Sequence, residues 1–415
     1  MRRSSQKGFL SKGPVFLTMR VLSSGLGGIF ALIYSRQLGI QNRSVMGFIL
    51  ITAITLIYLL ASGITLTFRQ LSNSPEMQTL ALTRVVLLLI STSVVISGIS
   101  FGSLLIYSHI KSHLPISLLI LGTGFALMAS LDYSSSNILI GLGKIRTAGV
   151  VEVIVAILQV SLYFLLRLLS SYSLSTCVLI AFNLSYIFSV VCTFFIVVKR
   201  LSLRKLGNFA ELYDFLKTVR HNHVYSLVSG LADYSDKLIV AWFMPLAKFT
   251  QYSVMAGLIN YVRFLPEALA NLLVAGHGKS ISKPFESHRK GFSALAVLLY
   301  GFSGITVYYF TKYWFGANWL LPLAIYYLVV FQEILRAAYL LSAATLIRNG
   351  GDRVNSNISL VLITMYLLLA IIGVLILGIY GVVLAQVLTY LTSSLLVSRE
   401  LRKISLVKPG GSLLV

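Results

Sequence analysis

Apolar runs of about 20 residues recur along the whole chain, and no other feature of the sequence limits its fold so strongly. A helix of that length crosses the hydrocarbon core of a bilayer, whereas membrane-spanning β-strands would alternate apolar and polar residues over about ten positions. The runs therefore predict an all-α polytopic membrane protein with about twelve transmembrane helices. The expected spans cover residues 14–35, 45–67, 85–107, 114–138, 148–166, 175–198, 224–243, 251–274, 292–311, 319–341, 358–377 and 381–397.

The composition supports the same class of protein. Of the 415 residues, 57% are hydrophobic and 11% are charged, and the mean hydropathy is +0.87. Soluble domains carry about a quarter charged residues, and no stretch here is polar enough to form one. The basic N-terminus runs into a full-length apolar segment, so we expect a retained first span rather than a cleaved signal peptide. Cys177 and Cys192 fall in one predicted span and are interpreted as packing residues.

The chain has a net charge of +22, from 34 basic and 12 acidic residues. In a soluble protein this excess would suggest a nucleic-acid partner, but in a multi-span protein basic residues collect in cytoplasmic loops. With the N-terminus inside, most of the basic residues fall in segments on the cytoplasmic side. We therefore expect both termini in the cytoplasm and predict no nucleic-acid partner.

The longest polar segment, 199–220, divides the predicted spans into two halves of about six helices each. This division predicts an N-terminal half (1–198), a cytoplasmic basic linker (199–220) and a C-terminal half (221–415), with a central cavity between the halves. The spacing of apolar residues in the linker predicts a short amphipathic helix on the inner membrane face. The outer loops are short, which leaves no room for an active site built from loops.

Charged residues inside the predicted spans are the main candidates for function, because a charge at that depth costs several kcal/mol unless it meets a partner or a wet cavity. They are Arg20 in the first span, Asp132 in the fourth, Glu152 in the fifth, Asp233, Asp236 and Lys237 in the seventh, Arg263 and Glu267 in the eighth, and Glu333 and Arg336 in the tenth. They are densest between residues 221 and 274. These charges either lock helices together or line a transport route.

The spacing within the seventh and eighth spans leaves both interpretations open. Asp233 and Lys237 are four residues apart and share a helix face, whereas Asp236 is expected to point elsewhere. Arg263 and Glu267 are also four apart, within one polar stripe on an apolar helix. Such pairs can neutralise each other without any ligand.

The remaining intramembrane charges differ in whether their own helix offers a partner. Glu333 and Arg336 are three apart and can form an internal pair. Arg20 and Asp132 have no partner in their own helix, which favours a cavity or a contact between helices. An arginine in a cavity suits a phosphate group, since its planar fork donates two parallel hydrogen bonds. Asp132 or Glu333 could bind and release protons and so couple transport to a proton gradient.

Other chemistries find little support. His221 and His223 are two apart and do not share a helix face, and no carboxylate and cysteine set completes a metal site. No Ser/His/Asp pattern is present, and Gly25, Gly27 and Gly28 fit a packing surface better than a phosphate-binding loop. We predict no metal, no cofactor and no enzymatic activity. A sugar path could use the tyrosines of the central region, Tyr225, Tyr234, Tyr252 and Tyr261.

Several short segments carry a family resemblance. They are Arg36-Gln-Leu38-Gly39 followed by Gly47-Phe48, the basic turn Gly141-Leu-Gly143-Lys144-Ile-Arg146, Asp236-Lys237-Leu-Ile-Val240 followed by Gln251-Tyr252-Ser, and Ile379-Tyr380-Gly381-Val382 with Ala385. In this order, over nearly the whole chain, they resemble the polysaccharide flippases of the multidrug/oligosaccharidyl-lipid/polysaccharide exporter (MOP) superfamily. The O-antigen type is the most similar.

The resemblance implies that the chain turns undecaprenyl-pyrophosphate-linked oligosaccharide from the inner to the outer leaflet of the bacterial inner membrane by alternating access. Arg20 and Arg263 match the positions thought to meet the pyrophosphate, and we add Lys237 and Arg336 as cavity cations. The acids Asp132, Asp233, Asp236, Glu267 and Glu333 are expected in the cavity or in proton coupling. A polysaccharide polymerase and a chain-length regulator are the implied protein partners. The excess of acids over basic residues within the spans departs from the cationic cavity that the resemblance implies.

Two alternatives stay open. A drug or cation antiporter of the same fold would use unpaired acids and few arginines, and the excess of intramembrane acids favours it. A polysaccharide polymerase has similar hydropathy but needs a sizeable outer loop with catalytic residues, and the outer loops here are short.

Overall fold

The computed structural model describes residues 2–71, 75–111, 113–198, 219, 223, 230–231, 234–260, 300–348 and 351–407. Over these residues the chain forms helices and short connections without any strand, which confirms the predicted all-α fold. The helices described are α1 (Arg2–Leu60), α2 (Ser62–Leu71), α3 (Pro75–Ile110), α4 (Ile116–Gly141), α5 (Ile145–Leu169), α6 (Leu174–Val197), α7 (described over 234–243), α8 (Leu246–Asn260), α9 (described over 300–315), α10 (Leu323–Arg348), α11 (Asp352–Leu377) and α12 (Ile379–Val407).

Eight helical stretches in the described part of the chain are long and apolar enough to cross a membrane. The most apolar, Val354–Leu377, has a mean hydropathy of 3.0, yet only 28% of it is buried inside the protein. So many exposed apolar side chains would cost free energy in water, whereas the lipid chains of a bilayer solvate them without that cost. The hydrophobic faces of these helices are therefore suited to a bilayer.

Gly39 divides α1 into two parts. Its backbone has φ 69° and ψ 174°, outside the helical region, whereas the flanking residues are helical. A positive φ of this size is readily adopted only by glycine. The apolar stretch Thr18–Leu60 has 43 residues. At about 1.5 Å per residue this stretch is about twice as long as the ~30 Å hydrocarbon core, so it holds two spans, as predicted.

The chain forms two compact units, Met1–Tyr234 and Ser235–Val415. In the first unit, α4 packs against α3 and α6, and α5 packs against α1 and α6. In the second unit, α12 packs against α10 and α11. The division into 1–198, 199–220 and 221–415 stays a prediction, because 199–218 lies outside the described residues.

An aromatic cluster holds four helices of the first unit together. The ring of Phe30 on α1 lies 5.2 Å from that of Tyr34, 5.4 Å from Tyr163 on α5 and 5.6 Å from Phe182 on α6. Phe125 on α4 lies 5.6 Å from Phe182. These separations are typical of edge-to-face aromatic packing. The cluster fixes α1, α4, α5 and α6 relative to one another.

Three glycines form the hairpin between α11 and α12. Gly378 ends α11 with φ 61°, a conformation that favours glycine. Gly373 and Gly381 then bring the two helix backbones into direct contact. A Cβ atom added to Gly373 would lie 2.7 Å from the carbonyl oxygen of Gly381. Side chains larger than hydrogen therefore do not fit at this crossing.

Candidate functional site

A polar pocket lies within the first unit. It has a volume of about 230 Å³ and is open on one side. Three helices line it, with Arg20, Ser23 and Ser24 from α1, Asp132 from α4, and Glu152, Val155, Ala156 and Gln159 from α5. The structure thus brings together Arg20 and Asp132, the two charges for which the sequence offered no partner on their own helix.

The α1 wall of the pocket follows from helical spacing. Arg20, Ser23 and Ser24 occupy positions i, i+3 and i+4, which share one face of a helix. The hydroxyl of Ser23 donates a hydrogen bond to the backbone carbonyl of Arg20 at 3.1 Å. Arg20 itself is exposed. A Cβ added to Gly25 or Gly27 would meet no atom of the described residues within 4 Å.

Two carboxylates face the pocket from different helices. The hydroxyl of Ser136 on α4 donates to the carboxylate of Glu152 on α5 at 2.6 Å. Asp132 lies near Ser189 on α6 and near Glu152. Both carboxyl groups are half-buried. The pocket therefore presents two acids and one guanidinium, each acid with a hydroxyl beside it.

Gln159 forms the buried end of the pocket, with 7% of its surface exposed. Its side chain lies near the Tyr186 hydroxyl on α6. The ring of Tyr186 in turn packs 5.9 Å from Phe125 and 6.0 Å from Phe182. The aromatic cluster thus supports the polar residues at the inner end of the pocket.

The second unit buries an ion pair on α7. Lys237 Nζ lies 3.7 Å from Asp236 Oδ1, and the two residues are 8% and 2% exposed. The hydroxyl of Tyr252 on α8 donates to the other oxygen of Asp236 at 2.7 Å. The expectation that Asp236 points away from Lys237 is wrong, because the long lysine stem can bend back to the neighbouring carboxylate. Asp233, the partner expected from spacing, lies outside the described residues.

A second buried ion pair lies on α10. Arg336 Nη1 is 3.7 Å from Glu333 Oε2, and Gln332 Nε2 donates to Glu333 Oε1 at 3.1 Å. Glu333 is 1% exposed and Arg336 is 5% exposed. Of the two interpretations of these charges, the geometry favours the internal pair. Arg263 and Glu267, predicted to pair on the eighth span, lie outside the described residues.

The tyrosines considered for a sugar path have other surroundings where the structure describes them. Tyr252 is buried against Asp236, and the ring of Tyr234 lies 5.2 Å from that of Tyr58. Tyr225 and Tyr261 lie outside the described residues. Within the described residues, no group of three or more metal-ligating side chains occurs.

Sequence reasoning missed Gln159, Ser23 and Ser24 as pocket residues, and Ser136 as the hydrogen-bond partner of Glu152. A signal was present in the spacing, since polar residues recur at i+4 after Asp132 and at i+7 after Glu152 within apolar helices. Such polar stripes on membrane helices indicate a face turned away from lipid.

Together, the fold and the pocket define a class: a multi-span all-helical membrane protein with a charged pocket in its N-terminal unit. Comparison with solved structures narrows this class to the fold of the MOP superfamily transporters. An inward-facing MATE-family multidrug resistance transporter is 15% identical with a TM-score of 0.66, over 95% of this chain and 96% of that chain. An outward-facing transporter of the same family is 15% identical with a TM-score of 0.66, over 97% and 96%.

A MOP superfamily transporter from Pyrococcus furiosus is also similar. It is 15% identical with a TM-score of 0.62, over 94% of this chain and 94% of that chain. The reverse polarity of that protein's binding pocket has been taken to suggest a different function. No protein-family model matches the sequence, and none of the curated proteins matches it significantly. At these identities the comparisons establish the fold, and they agree with the superfamily that the sequence motifs indicate.

Proposed function

We propose that this protein is a transporter that flips undecaprenyl-pyrophosphate-linked oligosaccharide repeat units, of O-antigen or a related surface polysaccharide, to the outer leaflet of the bacterial inner membrane. The single observation that carries the proposal is the exposed residue Arg20 in the lining of a polar pocket, within a MOP-type fold. The sequence motifs that resemble the O-antigen flippases support the same substrate.

The physical problem that such a protein solves is desolvation. A pyrophosphate and several sugars cannot enter hydrocarbon without losing their hydrogen bonds to water. A polar pocket replaces those bonds while the polyprenyl tail stays in lipid. The fork of Arg20 is suited to the phosphate oxygens.

Among the other proposed cavity cations, Lys237 and Arg336 each lie beside a buried carboxylate. Both are buried, so they are less accessible to a pyrophosphate than the exposed Arg20. Arg263 remains a proposed contact from the resemblance alone.

The transport cycle is proposed to be alternating access between an inward-open and an outward-open state. The MATE structures similar to this chain include one inward-facing and one outward-facing conformation. We propose Asp132 and Glu333 as the acids that couple the cycle to protons, because both are intramembrane carboxylates. Asp132 has the more open setting of the two. Both termini are proposed to be cytoplasmic, and a polymerase and a chain-length regulator are the proposed partners.

One specific observation favours a second function. Asp132 and Glu152 place two carboxylates at the pocket against one guanidinium. A drug or cation antiporter of the same fold would use such acids to exchange an organic cation for protons. Arg20 weighs against this alternative, because it would repel a cation at the pocket opening.

The proposed function is tested in cells that lack this gene and any redundant flippase. Lipid-linked oligosaccharide is labelled in sealed inside-out and right-side-out vesicles, and its leaflet is determined. We expect inner-leaflet accumulation that wild type relieves and Arg20→Gln does not. Arg399→Gln, at an exposed arginine far along the chain on α12, is the matched control and should behave as wild type. Outward appearance of the lipid-linked unit without this protein would overturn the proposal.

A further inference from the structure

The pocket in the first unit has a mixed chemistry that a pyrophosphate alone does not explain. Its walls carry two carboxylates, Asp132 and Glu152, in addition to Arg20 and the amide of Gln159. Two carboxylates would repel a pyrophosphate placed among them. A small inorganic cation, in turn, would need neither the guanidinium nor the amide.

The residues that line the pocket become less exposed from its opening inward. Arg20 is exposed, Asp132 and Glu152 are half-buried, and Gln159 is 7% exposed. The anion-binding group therefore lies at the opening, and the acceptor-rich groups lie deeper. This order suits a ligand whose phosphate stays near the opening while a group rich in hydroxyls enters.

The inner walls offer polar groups to the hydroxyls of a sugar ring and apolar groups to its C–H face. Carboxylates accept hydrogen bonds from hydroxyl groups, an amide both accepts and donates them, and the nearby serines add further partners. Val155 and Ala156 form an apolar strip along α5 against which ring C–H groups can pack. The volume of about 230 Å³ accommodates several waters at the ~30 Å³ each occupies in the liquid, and hence one small polar ring.

We infer that this pocket binds one sugar of the lipid-linked oligosaccharide, and that Asp132 and Glu152 make it select neutral or amino sugars over uronic acids. The inference rests on the proposed function and names the part of the substrate that this pocket takes. A uronate carboxylate would meet two carboxylates of the same sign, whereas an amino group or a hydroxyl would donate to them.

The test uses purified protein in proteoliposomes with three synthetic undecaprenyl-pyrophosphate disaccharides. The probes differ only in one sugar, which is a neutral hexose, an amino hexose or a hexuronic acid. Membrane-impermeant periodate reports how fast each head group reaches the outer leaflet. The readout is the ratio of the uronate rate to the neutral rate, because this ratio is independent of how much variant protein folds and inserts.

Wild type is expected to flip the neutral and amino probes at least tenfold faster than the uronate probe. The double variant Asp132→Asn with Glu152→Gln keeps the shape of both side chains and removes their charge. We expect it to raise the uronate-to-neutral ratio by at least tenfold, which corresponds to about 1.4 kcal/mol. Glu400→Gln, on α12, removes an acid paired with Lys403 outside the pocket and should leave the ratio unchanged.

Two results would overturn the inference while leaving the proposed function intact. One is equal ratios in wild type and the double variant, with flipping preserved. The other is an unchanged ratio together with lost dependence on a proton or sodium gradient, which would make the pocket an ion site. If wild type flips none of the three probes, the proposed function fails and the inference fails with it.

Discussion

Replacing Gly373 by alanine tests the close contact between α11 and α12. The added Cβ would lie 2.7 Å from the carbonyl oxygen, 2.8 Å from the carbonyl carbon and 3.0 Å from the Cα of Gly381. All three atoms are backbone, so no side chain can swing aside. Ordinary contact begins at 3.4 Å, so the two helices must separate by several tenths of an ångström.

Two effects of the substitution compete. Alanine favours a helix over glycine by about 0.5–1 kcal/mol, whereas overpacking costs about 1–3 kcal/mol. Because only backbone can yield here, we expect the overpacking cost to dominate and Gly373→Ala to lose about 1–2 kcal/mol of stability. The entropy of unfolding grows with chain length, so at roughly 1 °C per kcal/mol for a chain of this size the midpoint of thermal unfolding should fall by about 1–2 °C.

The assay is thermal unfolding of the purified protein in one detergent, followed by the loss of monodisperse protein on size exclusion. Gly301→Ala on α9 is the matched control, because a Cβ there would meet no atom of the described residues within 4 Å. It should be neutral or slightly stabilising. A Gly373→Ala protein as stable as Gly301→Ala would refute the reasoning and with it the close crossing of the two helices.

Three further predictions concern buried polar groups. Glu333→Gln should destabilise the protein by about 3–5 kcal/mol, because it removes the carboxylate that lies beside the buried charge of Arg336. Removing both charges should cost less, and a double-mutant cycle followed by thermal unfolding measures the difference. Tyr252→Phe removes the hydrogen bond to Asp236 and should cost about 1–3 kcal/mol of stability by the same unfolding assay, so an unchanged midpoint would contradict it. Asp132→Asn should abolish the dependence of flipping on an imposed proton gradient in proteoliposomes, and an unaltered dependence would remove this residue from coupling.

The fold was predictable because run length alone separates membrane helices from other structures. Gly39 illustrates a finer success, since the motif Arg36–Gly39 predicted the turn between the first two spans and the backbone there has a positive φ. The pairing of Glu333 with Arg336 also followed from spacing along one helix. Local periodicity fixes such contacts, because residues three or four apart must be neighbours on a helix.

The pocket could be predicted only in part, because its walls come from three helices. Spacing within one helix shows that no opposite charge lies one turn away from Arg20 or Asp132, but not that the two residues share a pocket. The role of Gln159 depends on how α5 packs against α6, which one sequence does not encode in a readable pattern. Lys237 shows the converse limit, since its flexible stem reaches the adjacent Asp236, a contact that helical spacing does not predict.

The most direct test of the central claim compares two substrates for the purified protein in sealed proteoliposomes. One is a fluorescent undecaprenyl-pyrophosphate oligosaccharide whose leaflet is read by impermeant periodate. The other is a lipophilic organic cation, tetraphenylphosphonium, whose transport is read by a selective electrode under a proton gradient. The account predicts protein-dependent movement of the lipid-linked oligosaccharide, lost in Arg20→Gln, and no protein-dependent movement of the cation. Transport of the cation with no flipping of the lipid-linked oligosaccharide would contradict it and identify a cation antiporter.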